Sequence, residues 1–328
     1  MRRSLVFSGP HTVEIIEEVT PEPGPGEVLV RALVSAISPG TEMLVYRGQV
    51  PQSMSIDATI AGMEEAFHYP LRYGYAAVGR VESLGRDVDA YWQDRLVFAF
   101  QPHTSHFVAS TNDLLSVPED IEPEQAAFLP NTETAVNFVL DGAPLLGERV
   151  GVFGQGVVGL LTTALLAEFP LDQLVTVDAY EQRRAASLAV GADESLSPDE
   201  AEGLATLDLT FELSGNPVAL NAALQATGYA GRVVIGSWYG EKQAPLDLGG
   251  YFHRSRMHLI SSQVSSIAPG LRGRWSRERR FAAAWDAIRR IRPEQLITQR
   301  IPIEKAAEAY RLIDERAAET IQILLTYD

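Results

Sequence analysis

Two hydrophobic patterns divide the chain. The first third holds short apolar segments of β-like composition, punctuated by Gly and Pro, at residues 4–7, 13–19, 27–37, 76–84 and 95–100. Such segments predict an all-β domain. From about Pro123, short apolar runs alternate with longer segments of helical character. That alternation predicts an α/β domain in which a parallel sheet carries helices on both faces.

The pattern changes again after about Ser262. An arginine-rich segment predicts a helix at residues 277–291, and a strand-like segment, a helix at residues 304–316 and a final apolar strand follow it. This mixed tail indicates that the chain returns to its first domain. A chain of 328 residues is also long enough for two cores. We predict a β-rich domain from residues 1–122 and 264–328, and a doubly wound α/β domain from residues 123–263.

The segment VGVFGQGVVG at residues 150–159 carries the most specific motif. It joins an apolar strand, predicted at residues 149–153, to a helix predicted at residues 160–169. Gly154 permits a tight turn, Gly156 lets the backbone approach a pyrophosphate, and Gly159 lets the helix pack closely on the strand. The phosphates of a dinucleotide would lie at the helix N-terminus. The motif therefore predicts a dinucleotide site.

An acidic residue completes this site. A second apolar strand ends at Asp178, about 20 residues beyond the glycines, where a carboxylate can accept hydrogen bonds from both ribose hydroxyls. Asp178 favours NAD over NADP as the cofactor. Arg183 follows closely enough to contact the adenosine end, although a solvated helix face is an alternative role. The cofactor contacts predicted from this motif are Gly154, Gln155, Gly156, Val157, Val158, Gly159, Asp178 and Arg183.

Several further segments, in the same order along nearly the whole chain, resemble the medium-chain dehydrogenase/reductase superfamily of zinc-type alcohol dehydrogenases. They are TPEPGPGEVLVRALVSAISPGTE, YGYAAVGRVESLG, DRLVF, AAFLPNTETA, GERVGVFGQGVVG and DAYEQRRAASLAVGAD. The resemblance implies a GroES-like catalytic domain, a Rossmann nucleotide-binding domain, hydride transfer with NAD and a homodimer. It also implies cofactor contacts at the carboxyl edge of the Rossmann sheet from Thr134, Ser214, Gly215, Gly236, Ser237, Ser262 and Gln263.

The positions of the family's zinc ligands carry other residues. Where the family has Cys-Gly-Thr-Asp, this chain has Pro39 to Glu42, and where it has Gly-His-Glu, this chain has Gly74, Tyr75 and Ala76. The chain contains no cysteine, and a short link at residues 101–106 replaces the lobe that holds the structural zinc. Its six histidines show no metal-ligand spacing. We therefore expect no zinc.

Without zinc, a hydrogen-bond donor has to stabilise the developing oxyanion or exchange a proton. Tyr75 is the first candidate because it stands at a former ligand position, although it could instead fill the volume left by the metal. The catalytic candidates implied by the resemblance are Tyr75, Thr41, Glu42, Asn131 and Glu133.

The net charge of the chain and its distribution indicate which binding partners to expect. A net charge of -16 argues against nucleic acid and anionic lipid surfaces. The absence of a long apolar run argues for a cytoplasmic protein without membrane attachment. Residues 251–292, however, hold ten arginines and two acids, a local charge of +8. This segment could attract an anionic substrate or form an interface. It also weakly resembles the tail of bacteriochlorophyllide dehydrogenases.

The sequence thus predicts a zinc-independent oxidoreductase that transfers a hydride between NAD(H) and an alcohol or carbonyl group of a bulky or anionic small molecule. Two alternatives remain open. One is an NADPH-dependent quinone or enoyl reductase, which Asp178 disfavours because a carboxylate repels the 2′-phosphate. The other is a catalytically silent NAD-binding sensor or assembly subunit, which the loss of the ligand positions permits.

Overall fold

The computed structural model describes residues 1–51 and 68–327. The strands in these ranges are β1 (Arg2–Gly9), β2 (Thr12–Glu18), β3 (Glu27–Ala36), β4 (Ala77–Leu84), β5 (Leu96–Ala99), β6 (His106–Ser110), β7 (Leu114–Ser116), β8 (Arg149–Phe153), β9 (Gln173–Val177), β10 (Glu194–Leu196), β11 (Leu207–Glu212), β12 (Thr227–Ile235), β13 (His258–Ser261), β14 (Ile297–Pro302) and β15 (Gln322–Thr326). The α-helices are α1 (Thr41–Tyr46), α2 (Pro123–Ala126), α3 (Leu129–Gly142), α4 (Val157–Leu166), α5 (Glu181–Ala189), α6 (Pro217–Ala226), α7 (Arg277–Ile291) and α8 (Ala306–Glu315).

The chain forms two compact units, and their boundaries differ from the predicted ones. The first unit holds Met1–Pro130 and the tail from Arg292 onward, and the second holds Asn131–Ile291. Helix α2 belongs to the first unit because it packs on β3 and β4. Helix α7 belongs to the second unit because it packs on α4. The arginine-rich residues 264–291, which we assigned to the β-rich domain, therefore lie in the α/β unit.

The first unit contains a β1–β2 hairpin and a seven-stranded sheet in the order β14-β15-β3-β4-β5-β7, with β6 also paired to β3. Alternate residues of β3, such as Val28 and Val30, are fully buried and pack with Val81, Val97 and Phe107. The final strand β15 pairs antiparallel with β3 and parallel with β14. The C-terminal tail thus completes the sheet begun by the N-terminal segment.

The second unit contains a six-stranded sheet in the order β10-β9-β8-β11-β12-β13, with every neighbouring pair parallel. Numbered within the unit, this order is 3-2-1-4-5-6, which defines the Rossmann fold. Apolar residues of the central strands, including Val150, Val152 and Phe211, are buried between the helices and the sheet. The prediction of a doubly wound domain beside a β-rich one is confirmed. Because the strands are parallel, their carboxyl ends bring the loops after β8, β9, β11, β12 and β13 to one edge.

Across residues 1–51 and 68–327, none of the helices combines the length and apolar character needed to cross a membrane.

Candidate active site

The turn between β8 and α4 has the geometry that its glycines require. Gly154 adopts a φ of +97°, and a β-carbon there would lie 2.5 Å from the backbone of Ser214. A β-carbon at Gly159 would overlap the carbonyl oxygen of Gly154, so only glycine allows α4 to approach the turn this closely. Gly156, by contrast, immediately precedes α4 and faces open space. The backbone amides at a helix N-terminus can bind an anion that approaches from this side.

Asp178 and Gln155 form the second part of this cradle. Asp178 lies directly after β9 and is 8% exposed. The backbone amide of Gln155 donates to Asp178 Oδ2 at 2.6 Å, and the amide of Tyr180 donates to Oδ1 at 2.8 Å. These bonds aim the carboxylate, whose remaining lone pairs can accept from ribose hydroxyls. The side chain of Gln155 is buried and donates to the carbonyl oxygens of Val152 and Gly154, so it supports the turn instead of facing a ligand.

The two arginines after Asp178 are partly engaged with the protein itself. Arg184 Nη1 donates to the carbonyl oxygens of Asp178 and Ala179 at 2.9 and 3.0 Å. The Arg183 guanidinium lies over the Tyr180 ring, 4.9 Å from its centroid. Of the remaining residues predicted from this motif, Val157 and Val158 form the first turn of α4, and Val157 is buried.

A buried acid that the sequence analysis missed connects the residues predicted after β11 and β12. Glu212, the last residue of β11, is fully buried and accepts hydrogen bonds from Ser214 N at 2.8 Å, Ser214 Oγ at 2.5 Å and Tyr239 OH at 2.5 Å. Burial, together with this carboxylate, raises the pKa of Tyr239. Ser237 Oγ accepts from Gly215 N at 2.8 Å, which joins the two loops. The available signal was an acid as the last residue of a predicted strand, at the sheet edge where ligands bind.

Gly236 has a packing role. A β-carbon there would overlap the side chains of Phe138 and Leu213. The glycine lets helix α3 approach the end of β12, beside the loop that carries Ser237.

The predicted residues on α3 and after β13 lie around a second buried charge. Glu133 is 4% exposed and binds Arg280, whose Nε and Nη2 lie 2.9 and 2.8 Å from Glu133 Oε1. Burial raises the pKa of Glu133, and Arg280 opposes this rise. Ser262 Oγ donates to Asp141 Oδ2 at 2.5 Å, whereas Gln263 is exposed and bonds Ser265. Within the same α3 helix, Asn131 is buried and Thr134 half-buried.

In the first unit, a half-buried tyrosine lies beside the turn that begins α1. Tyr75 OH donates to Ser38 Oγ at 2.6 Å. The Ser38 amide donates to Glu42 Oε1 at 2.9 Å. Thr41 is the first residue of α1. The structure thus connects Tyr75 to Glu42 through Ser38, and Thr41 precedes Glu42 directly in α1.

Glu42 is fully buried and also contacts an imidazole. His103 Nε2 lies 2.9 Å from Glu42 Oε2, which also accepts a hydrogen bond from Tyr310 OH. His103 Nδ1 lies 2.6 Å from Ser35 Oγ, whose other partner is Tyr327 OH at 2.7 Å. The partners of His103 are remote in sequence, so no local pattern could have identified these contacts.

The residues at the former zinc-ligand positions do not fit the metal. Pro39, Tyr75 and Ala76 offer no thiolate, imidazole or carboxylate. Among residues 1–51 and 68–327, no group of three or more His, Asp or Glu side chains is arranged to hold a metal ion.

The arginine-rich segment is partly neutralised within the second unit. Arg290 forms a two-bond ion pair with Glu168, at 2.9 Å for both bonds, and Arg280 pairs with Glu133. The Arg279 guanidinium stacks 4.3 Å from the centroid of Trp275. The local positive charge is therefore smaller than the sequence alone indicates.

Comparisons with known proteins bear on this geometry. No protein-family model matches the chain. The chain is 27% identical over 258 residues to L-threonine 3-dehydrogenase of Pyrococcus horikoshii, which covers 70% of this chain and 73% of the relative. It is 22% identical over 352 aligned residues to D-guloside 3-dehydrogenase of Escherichia coli, which covers 99% of this chain and 100% of the relative.

Solved structures show the same fold. The 2R,3R-butanediol dehydrogenase from Bacillus subtilis has a TM-score of 0.81 at 18% identity and covers 100% of both chains. The alcohol dehydrogenase RspB of E. coli CFT073, solved with NADH, has a TM-score of 0.79 at 19% identity and covers 99% of both chains.

A Rossmann unit with a glycine turn, in a chain whose relatives are dehydrogenases, supports an oxidoreductase. These similarities support the resemblance to the medium-chain dehydrogenase/reductase superfamily that the motifs predicted.

Proposed function

We propose that the chain is a zinc-independent dehydrogenase that transfers a hydride between NAD(H) and an alcohol or carbonyl group of a bulky or anionic small molecule. The observation that carries the proposal is the cradle of the second unit. Gly156 leaves open space at the N-terminus of α4, and the Gln155 amide holds the Asp178 carboxylate beside that turn at 2.6 Å. This arrangement suits a pyrophosphate and the adjoining ribose.

The bound nicotinamide supplies the hydride chemistry. The chain itself has to exchange a proton with the substrate oxygen, and the Tyr75 phenol is the group proposed for that task. Its hydroxyl is half-buried and oriented by Ser38, and the turn that carries Ser38 is held by Glu42. The phenol can donate a proton to a developing oxyanion or accept one from an alcohol. Glu42 accepts three hydrogen bonds inside the core, which suits a positioning role.

Selectivity for NAD is proposed to depend on Asp178. A carboxylate held between two backbone amides keeps a negative charge where the 2′-phosphate of NADP would lie. Titration of the purified protein with NADH and NADPH tests this proposal, and we expect NADH to bind at least about tenfold tighter. The isosteric variant Asp178→Asn should narrow that difference. Tighter binding of NADPH by the wild-type protein would contradict the assignment and favour the quinone or enoyl reductase.

The substrate can be sought with compounds in the names of similar proteins. Relatives and structural neighbours include dehydrogenases of L-threonine, D-gulosides, butanediol and galactitol 1-phosphate. Oxidation of a panel of these compounds, followed by NADH absorbance, compares a neutral diol with a phosphorylated polyol and so tests the anionic preference. Turnover of any of them would exclude a silent module, whereas NADH binding without turnover across a broad alcohol and carbonyl panel would support one.

We further propose a homodimer, on the resemblance alone. Light scattering of the purified protein is the test, and the mass of a single chain would contradict it.

A further inference from the structure

Arg280 is a buried guanidinium with every donor occupied. It lies on α7 and is 2% exposed. Nε and Nη2 bind Glu133 Oε1 at 2.9 and 2.8 Å, and Nη2 also donates to the Val264 carbonyl at 2.5 Å. Nη1 donates to Asn137 Oδ1 at 2.7 Å and lies 3.4 Å from the Ser266 carbonyl. A guanidinium has five N–H donors, and these contacts use all five.

These contacts join three segments of the second unit. Glu133 and Asn137 lie on α3, whereas Val264 and Ser266 lie on the segment that follows β13. Asn137 extends the connection, because its Nδ2 donates to Ser262 Oγ at 3.0 Å. Through Arg280 and Asn137, the carboxyl end of β13 is fixed to α3 by side chains that are themselves buried.

The position of this connection in the sheet indicates its role. Asp178, at the end of β9, marks the adenosine side of the cradle, and the glycine turn after β8 marks the phosphates. Strands β11, β12 and β13 lie on the opposite side of the switch point. A dinucleotide crossing that point extends its nicotinamide half toward β11–β13.

We propose that Arg280 is a positioning residue for the nicotinamide half of the cofactor, because it fixes residues 262–266 against α3. This inference rests on the proposed function. It also assigns Glu133 a different role from the catalytic one predicted from the sequence, namely that of the anionic partner which holds Arg280.

The Arg280–Glu133 ion pair is better suited to fixing the position of a segment than to stabilising the fold. A buried ion pair contributes little net stability, because desolvation of both charges offsets their attraction. Its planar, multidentate hydrogen bonding does, however, restrict geometry strongly. Lysine offers three donors from one point and cannot bridge Glu133, Asn137 and two carbonyl groups together.

A comparison of NADH binding with ADP-ribose binding distinguishes a positioning role of Arg280 from a general loss of structure. ADP-ribose carries the adenosine and pyrophosphate of NADH but lacks the nicotinamide. We expect Arg280→Lys to weaken NADH binding, followed by cofactor fluorescence, by about tenfold or more, because misplaced contacts reduce affinity steeply. ADP-ribose binding, followed by calorimetry, should change by less than about twofold. The matched control is Arg289→Lys on the exposed face of α7, which should change neither.

Two further variants test the partners of Arg280. Glu133→Gln keeps an acceptor oxygen and should retain more NADH affinity than Glu133→Ala. Asn137→Ala leaves the ion pair with Glu133 in place but removes the contacts with Arg280 Nη1 and Ser262 Oγ, and it tests the inference if the Arg280 variant fails to fold. This variant should weaken NADH binding and leave ADP-ribose binding nearly unchanged.

Equal loss of both ligands in these variants, or unchanged NADH binding, would overturn the inference. Failure of the proposed function is distinguishable, since it would show in the wild-type protein itself, as tighter binding of NADPH than of NADH or as NADH binding without turnover across the substrate panel.

Discussion

Tyr75 is the residue on which the proposed metal-free proton transfer depends. Its phenol occupies a position where the family has a zinc-binding histidine, and it donates to Ser38 Oγ at 2.6 Å. Tyr73 stacks edge-on beside it, with 6.1 Å between the ring centroids. The ring is therefore held by packing while its hydroxyl retains a polar partner.

Replacing Tyr75 with Phe should reduce kcat by roughly 100-fold or more, as expected for loss of a general acid, while the ring packing is retained. Steady-state kinetics with the substrate found in the panel measures the effect. Tyr91→Phe is the matched control because the Tyr91 ring is 52% exposed in the same unit. Unchanged turnover for Tyr75→Phe would show that the phenol only fills volume.

Glu42 and His103 show how a residue's surroundings change its interpretation. From the sequence, Glu42 is a catalytic candidate and His103 is an ordinary loop histidine. In the structure both are fully buried, 2.9 Å apart, and Tyr310 contributes a third partner. Burial, with Glu42 alongside, raises the pKa of the Tyr310 hydroxyl, which therefore acts as a donor. His103 and Tyr310 hold the Glu42 carboxylate, which in turn accepts from the Ser38 amide and so fixes the 38–42 turn.

At the scale of elements, two glycines of the β8–α4 turn have different roles. Gly156 faces open space, whereas Gly159 lies against the backbone of Gly154. The first glycine leaves room for a ligand, and the second permits the helix to pack.

This difference predicts opposite outcomes for two alanine variants. Gly156→Ala should leave the Tm nearly unchanged but weaken NADH binding by about tenfold or more, because its methyl group enters the phosphate space. Gly159→Ala should lower the free energy of unfolding by about 1–3 kcal/mol, because the methyl group overlaps a backbone carbonyl. Calorimetry and NADH titration measure both effects, and equal stabilities would refute the distinction.

The Glu124–Arg300 pair links α2 to the tail strand β14 through two hydrogen bonds of 2.6 Å. The hydrogen bond from Arg300 lowers the pKa of Glu124 below its ordinary value of 4.5. A lowered pKa in the folded state means that the pair stabilises the protein above pH 4.5, and that this contribution is lost as the pH falls through the lowered value.

Glu124→Gln should therefore be less stable than the wild type at pH 7, by less than about 1 kcal/mol, since both side chains are partly exposed. The difference should shrink as the pH falls below 4.5. Urea unfolding at pH 7 and in the acid range tests this, with Glu319→Gln, which removes an exposed i,i+3 pair, as the control. A difference that grew in acid would contradict the sign.

At the scale of the whole molecule, the chain has the fold of solved dehydrogenases, and Pro39, Tyr75 and Ala76 stand at the positions that the resemblance assigns to zinc ligands. The purified protein should contain much less than one zinc per chain by mass spectrometry. Turnover should also survive dialysis against a chelator, because Pro39 and Ala76 offer no ligand atoms. Stoichiometric zinc, or activity restored only by added zinc, would contradict a metal-free mechanism.

Much of the architecture could be predicted from local sequence. The glycine spacing, the strand before it and the acid after the next strand all lie within one β–α–β segment, so their geometry follows from short-range rules. The domain boundary after Ser262 could not be predicted this way, because α7 joins the second unit through contacts with α3 and α4. Arg280 of α7 and its partner Glu133 of α3 are 147 residues apart in sequence.

The sequence by itself determined the Rossmann topology, the glycine turn with its following acid and the resemblance to a dehydrogenase superfamily, because each depends on residue type at a fixed local spacing. Only the tertiary structure decided which polar side chains meet. Glu42 reaches His103 across 61 residues and Tyr310 across 268, and Glu133 is buried against Arg280. The physical reason is that buried charges require partners, and folding selects those partners by proximity in space, which no local pattern records.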